Sequence, residues 1–560
     1  MSILDTIDPH NWDTVAPHFT ALANENLRAS GAADWLMRWS DLEKMLAEAG
    51  AAASRAKSED TTNQTAETNY LHWIQTISPQ WNIAAQELKI KLLTVTDYEP
   101  LPEHRQLLRR VRSEVGLFRA ANVPIQAELQ TLANEYDKIA GAMTVTLAGK
   151  TLTMQQAQQK LLDPNRTLRE QVWSAIQSRW LEDRQTLDDL FLRMLPLRRE
   201  IAHNAGHTDY RAYMWQSLKR FDYTPQDSLS FHQAIEAEVV PLARQQLETR
   251  RKTLGVERLR PWDLAVDPQA RPPLHPFSNV AELEAGVARI FAQVAPEFGA
   301  DFEKVRHGYL DLASRPGKAP GGHCSFFPQT GLPYIFMNAV GIESDVRTLL
   351  HEGGHAFHGL AASAAQPLIW NQDAPMEFNE VASMAMELLA SPYLEKSSGG
   401  FYLPAEACRA RREHLESIIN FLPYMAVVDG FQHWVYADAP ETVTAADLDA
   451  KWDELWSRFM PGEDWSGLDA QRVTGWHRKL HIYHVPFYYV EYGLAQLGAL
   501  QVWRNALQDQ PEAIRKYRAA LALGSTRPLP ELYAAAGARL AFDRETVGEL
   551  AQLVASHLEA

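Results

Sequence analysis

No stretch of this 560-residue chain constrains its fold as tightly as residues 343–360, ESDVRTLLHEGGHAFHGL. Val346, Leu349, Leu350, Gly353, Phe357 and Leu360 recur at steps of three and four, so one stripe of a helix must face a core. Ser344 is placed to cap that helix, with Asp345 in the first turn where a negative charge suits the dipole. His351 and His355 stand four apart on another face, one above the other. At that spacing two imidazoles converge on a single metal ion, and Glu352 between them can act on a water held there. H-E-x-x-H on an amphipathic helix is the pattern of zinc hydrolases.

Gly353 and Gly354 each cost roughly 1 kcal/mol against Ala in a helix interior. Their presence makes sense if another backbone or a substrate passes close to the helix. His358 shares the ligand face, but two turns put it ~10.5 Å from His351, whereas zinc–nitrogen bonds are about 2 Å. A supporting or substrate-side role is expected of it, and the third ligand must come from elsewhere. Residues 374–390, APMEFNEVASMAMELLA, offer Glu377, Glu380 and Glu387 on a helical pattern whose apolar stripe is Val381, Met384, Ala385 and Leu388. A carboxylate from this second helix completes a His–His–Glu set with a fourth position open. Glu380 and Glu387 share a face two turns apart, so one can ligate while the other orients a ligand. Spacing alone leaves Glu377 and Glu380 both open. Glu200 and His203 form an E-x-x-H, as do Glu352 and His355, so a helical carboxylate-bridged di-metal (di-iron type) protein is the rival reading. Under it His351 is surplus and the glycines have no purpose.

The formal charge, 54 minus 70 or −16, argues against nucleic acid as a main partner, since phosphate binding needs a basic face. The two cysteines, Cys324 and Cys408, fit a reducing compartment and exclude a disulfide scaffold. The first residues, MSILDTIDPHNWDT, lack a signal-peptide pattern, and no apolar run approaches the ~18 residues of a membrane span. A cytoplasmic protein with no membrane partner is expected.

Helical patterning dominates the first 140 or so residues. Trp35, Leu36, Trp39, Leu42, Met45 and Leu46 form one stripe, KSEDTTNQT after it reads as an exposed turn, and helices are expected over 71–94 and 103–120. Alternation around Ala148-Gly149 predicts a β-hairpin at 143–153. Asp163 or Asn165 then caps a new helix, and helical patterning continues through 184–203. Proline density over 258–279 forbids a long helix and marks a connector, after which Asn279 and Glu282 offer a cap. Residues 321–340 read as strand–turn–strand leading into the histidine helix, and a strand there could present its edge to an extended peptide. Further on, Thr444 with Asp447 starts a helix, and the helix after Pro486 is apolar on most sides and therefore buried. His481, His484, Tyr488, Tyr489 and Tyr492 crowd this region with polar-tipped rings of the kind that can steady an oxyanion in a water-poor site.

HEGGHAFH, NEVAS and HIYHVPFYYVEYG together resemble the zinc oligopeptidase family of oligoendopeptidase F and thimet oligopeptidase, closest to the oligoendopeptidase F branch. The likeness spans roughly residues 200–560. It implies H-E-x-G-H-x-x-H over residues 351–358, with Glu380, at the head of an E-[IV]-A-S-like segment, as the third ligand beside His351 and His355. One Zn2+ per chain is implied, with Glu352 as general base. The resemblance puts transition-state stabilisation on His481, Tyr488 and Tyr492, and substrate contact on Tyr489 and His358. It implies a mainly α, elongated, zincin-like metallopeptidase with a deep substrate channel and a small β-sheet beside the active-site helix. A helical N-terminal lid domain, 1–195, would precede a catalytic domain, 196–560. The activity implied is endopeptidase cleavage of short unfolded peptides by a monomer or homodimer, the alternative being a catalytically silent peptide-binding protein. Gly353 replaces a bulkier residue found in many relatives, and is expected to alter how substrate lies across the helix.

Overall fold

The computed structural model describes residues 7–315, 317–319 and 321–559. The chain is mainly helical and divides into two compact units, each assembled from three chain segments. The first unit comprises Met1–Gly116, Leu274–Arg411 and Ala495–Leu540; the second comprises Leu117–Pro273, Arg412–Leu494 and Ala541–Ala560.

In the first unit the Ala32–Glu59 helix carries the tryptophan stripe inward, and Trp35, Leu36, Trp39, Leu42, Met45 and Leu46 are all buried. Trp39 packs on Trp370 with ring centres 4.4 Å apart. The helix runs on to Glu59, so Lys57–Glu59 of the expected turn are helical and the chain turns only at Asp60–Asn63. Lys57 stays helical because it suits the C-terminal end of the dipole. Residues 71–94 are not one regular helix. A π-helical turn at Trp73–Ile77 interrupts them and buries Trp73 and Ile77.

A three-stranded sheet forms beside the histidine helix. Leu332–Ala339 (β5) pairs antiparallel with His323–Phe327 (β4) and parallel with Leu310–Ala313 (β3). Pro333–Met337 are buried without alternation, as a central strand covered on both faces requires. β5 passes through Gly341, at φ 95°, into the Glu343–Ala365 helix. Ser344 does not cap this helix. Ile342 holds the N-cap position, and Asp345 Oδ2 accepts from the N–H groups of Val340, Gly341 and Ile342 at 2.8, 2.8 and 3.0 Å. One carboxylate thereby satisfies three backbone donors and complements the positive end of the dipole, more than a serine hydroxyl could do.

The second unit contains the expected hairpin, Thr144–Leu147 (β1) against Lys150–Thr153 (β2). Ala148 and Gly149 both take positive φ, 49° and 77°, the backbone of a type I′ turn. Asn165 rather than Asp163 caps the Arg166–Glu182 helix by accepting from Leu168 N at 3.2 Å. Trp476 stacks on Phe431 at 5.9 Å and on Tyr483 at 6.0 Å, building an aromatic core. Among the described residues no helix is long and apolar enough to cross a membrane.

Candidate metal centre and the His481 cluster

Two helices of the first unit approach so closely that glycine is the only residue that fits between them. A Cβ on Gly354 would lie 2.5 Å from Ala382 O and 2.6 Å from Ser383 Cα, atoms of the Met376–Ala390 backbone. Gly353 faces elsewhere. Its Cβ would enter the Phe291 ring at 2.2 Å, so the smaller residue accommodates an aromatic of the Val280–Val294 helix rather than opening room for substrate. Phe291 also packs edge-on against Phe357 at 4.8 Å, which fixes the rotation of the histidine helix about its axis.

That approach carries Glu380 to the histidines. Glu380 Oε2 lies 3.5 Å from His351 Nε2 and 3.7 Å from His355 Nε2, and the imidazole planes are crossed at 83°. The ligand atoms of His351, His355 and Glu380 all fall within 4.8 Å of one another, the one such group among the described residues. A tetrahedral zinc with bonds of about 2.0–2.1 Å separates its ligand atoms by about 3.4 Å, so the donors fit that ion. Glu377 is buried but outside the group, so Glu380 is the glutamate of the pair that stands with the two histidines. Glu200 and His203 belong to the second unit and to no such group.

Glu387 supports the set. Its Oε1 lies 2.7 Å from His351 Nδ1. A carboxylate only accepts, so Nδ1 carries the hydrogen and Nε2 presents its lone pair to the centre. Ser383 Oγ donates to Glu380 Oε2 at 3.0 Å and limits its swing. Burial opposes a charge on His351, but the Glu387 hydrogen bond and the neighbouring carboxylates outweigh it and raise it to about 9. Burial pushes Glu352 up to about 7, raises Glu380, and drives His355 well below its ordinary range. A divalent cation relieves this conflict, drawing the acids to their ionised form and holding the imidazoles neutral. Glu352 is buried, 6% exposed, and so is His358, 4% exposed, whose Nε2 has no hydrogen-bond partner among the described residues. β4 runs beside the same helix, with Phe326 2.8 Å from a Cβ built on Gly359.

The His481 cluster lies in the second unit. The His481 ring centre is 6.0 Å from Tyr488, 5.0 Å from Tyr489 and 6.1 Å from Tyr492. Tyr488 and Tyr492 are partly exposed, whereas Tyr489 is buried. Burial pushes His481 down to about 4, so the ring is neutral at pH 7. His484 turns to Asp137 at 3.0 Å. The turn that gathers these rings contains Phe487 at φ 68°, a strained conformation for a bulky residue. Phe487 N donates to Gln432 Oε1 at 2.7 Å, and its carbonyl accepts from Arg220, which is itself paired with Glu491 at 2.8 Å. Sequence reasoning did not find these clamps, since Arg220 and Gln432 are remote in the chain and carry no motif.

A model of Peptidase family M3 matches residues 160–551, well over half of the chain. The chain belongs to peptidase family M3. Within that family it is a distant homologue of oligoendopeptidase F. The oligoendopeptidase F homolog of Lactococcus lactis subsp. lactis (strain IL1403) is 24% identical over 305 residues, 53% of this chain and 48% of that protein. The chain thus spans about half the length of the curated relatives it matches. A solved structure of Pz peptidase A with an inhibitor superposes with a TM-score of 0.89 at 24% identity, covering 99% of this chain and 98% of that one. Oligoendopeptidase-F from Enterococcus faecium gives a TM-score of 0.64 at 15% identity over 97% and 96%. These likenesses identify the M3 fold.

Proposed function

We propose that this M3 family member is a zinc-dependent endopeptidase that hydrolyses internal bonds of short, unfolded oligopeptides. The observation that carries the reading is the meeting of His351 Nε2, His355 Nε2 and Glu380 Oε2 within 4.8 Å of one another, with Glu387 fixing the tautomer of His351. A zinc ion in that set would supply Lewis acidity to the scissile carbonyl and to the attacking water. Glu352, next in sequence to His351, takes a proton from that water at a carboxylate oxygen and passes it to the leaving nitrogen. The family resemblance assigns to His481, Tyr488 and Tyr492 the steadying of the oxygen that gains charge.

Glu352→Gln removes the proton acceptor and leaves the three ligands in place. The variant is expected to bind one zinc per chain as the parent does, and to lose cleavage of a quenched-fluorescent peptide by on the order of 10²–10⁴-fold. Turnover close to the parent's would refute the assignment.

A further inference from the structure

Among the described residues, Lys479 is a cation held without a counter-ion. The backbone before it is pinned on several sides. Trp476 Nε1 donates to Asp449 Oδ1 at 2.9 Å, Tyr136 OH donates to His477 O at 2.9 Å, and His477 Nε2 pairs with Asp188 Oδ1 at 2.8 Å. Arg478 donates to Gln177 Oε1 and Gln471 O at 2.9 and 3.1 Å. Lys479 leaves this fixed segment with its Nζ 3.9 Å from the centre of the Tyr489 ring and 5.3 Å from that of Tyr424. Those two rings meet nearly at right angles, 88°, and Tyr489 also touches His481 at 5.0 Å. The ammonium therefore stands on the aromatic wall that His481 shares.

Neither Lys479 nor Arg478 makes an ion pair among the described residues. Cations that brace this fold have a carboxylate or a set of oxygen acceptors, as Arg198 has in Tyr436 OH, Ile482 O and Tyr483 O. Arg220 has Glu491 at 2.8 Å, and Lys318 Nζ has Asp311 Oδ1 at 2.9 Å along with three backbone carbonyls. In a chain of net charge −16, acids are plentiful, and leaving a half-buried ammonium unneutralised costs free energy that a structural role would not require. The Tyr489 face occupies one side of the ammonium and leaves donors turned away from it.

We propose that Lys479, with Arg478 behind it, is a substrate-anchoring residue that takes a carboxylate of the bound peptide. The carboxylate is either the peptide's C-terminus or an acidic side chain. The inference rests on the peptidase reading, which makes the His481 wall a substrate surface. Burial pushes the Lys479 ammonium down to about 8, so it is charged at neutral pH and poorly solvated, conditions in which a carboxylate is held more firmly than in open water.

Three peptides of one sequence separate the sources: a free acid with an internal Glu, its C-terminal amide, and the free acid with Glu replaced by Gln. The parent is expected to favour a carboxylate-bearing peptide about tenfold in kcat/KM, with the difference in KM. Loss on amidation identifies the terminus, and loss on the Gln exchange identifies the side chain. Lys479→Met should collapse that selectivity ratio toward one, while Lys479→Arg restores it. The same peptides titrated onto Glu352→Gln, read as Kd by fluorescence anisotropy, test the anchor without turnover. A parent that binds the three peptides equally, or a Lys479→Met protein with the parent's melting temperature and undiminished selectivity, would overturn the proposal. A parent that binds with carboxylate selectivity but cleaves nothing would instead overturn the peptidase reading alone.

Discussion

Trp39 Nε1 donates to Glu43 Oε1 at 2.6 Å inside the core of the first unit, and burial pushes that carboxyl up to about 7. Lys89 pulls the other way and Glu114 adds to the rise, and the two are paired with each other at 2.8 Å. The unfolded chain releases this proton near its ordinary value of 4.5. Between there and about 7 the folded state binds more protons than the unfolded one, so stability falls as pH rises and then levels off. Glu43→Gln keeps an oxygen for Trp39 and removes the penalty. The variant is expected to match the parent at pH 4.5 and to exceed it at pH 8 by roughly 2–3 kcal/mol, seen as a higher urea midpoint; equal midpoints at both pH values would refute it. At this scale the sequence was clear about His351, Glu352 and His355, because their spacing is local to one helix. It could not separate Glu377 from Glu380, since both sit on the first turns of one helix and only a neighbouring backbone decides which reaches the histidines. Glu43 was equally hidden, as a helical glutamate is ordinarily solvated and nothing local marks it as buried.

Gly354 sets the spacing of the two helices that carry the candidate metal ligands. The atoms a Cβ would strike, Ala382 O at 2.5 Å and Ser383 Cα at 2.6 Å, belong to a backbone that cannot rotate aside. In Gly354→Ala the Met376–Ala390 helix must withdraw, carrying Glu380 with it, at a cost of ~1–3 kcal/mol. Zinc affinity should fall about tenfold or more when titrated against a chromophoric chelator. Gly141→Ala is the control, because nothing lies within 4 Å of its Cβ. Unchanged affinity in Gly354→Ala would show that the contact does not position the ligand. Elements defined by local chemistry could be read in advance: the hairpin from its turn residues, the Thr444–Asp447 capping box from its spacing, the histidine helix from its stripe. β3 could not. Leu310–Ala313 has four residues, and its parallel pairing with β5 depends wholly on a partner remote in sequence. Gly353 was misread for a related reason, since a glycine shows that something comes close but not that it is Phe291.

Neither compact unit is a continuous piece of chain, and this bears on how the molecule folds. Within the second unit, the segment 117–273 supplies charges that the segment 412–494 buries. His232 pairs with Asp429 at 2.9 Å, Arg220 with Glu491 at 2.8 Å, and His477 with Asp188 at 2.8 Å. The first unit is stitched the same way. Arg110 donates to Trp370 O at 2.7 Å and Gln366 Nε2 to Ala522 O at 2.9 Å. A cut at the boundary after Pro273 therefore divides both units at once. Residues 274–560 alone keep the whole HEGGHAFH–Glu380 set but take Arg220 from the buried Glu491 and leave the buried Asp429 with His433 alone of its two imidazole partners. An orphaned buried charge such as Glu491 costs about 3–5 kcal/mol, a large part of the ~5–15 kcal/mol that stabilises an ordinary fold. Either half expressed alone is expected to lack a cooperative thermal transition. The two co-expressed should associate and regain the parent's melting midpoint. A sharp transition at that midpoint in 274–560 alone would mean that the catalytic helices carry their own stability, and that the long-range ion pairs add little to it.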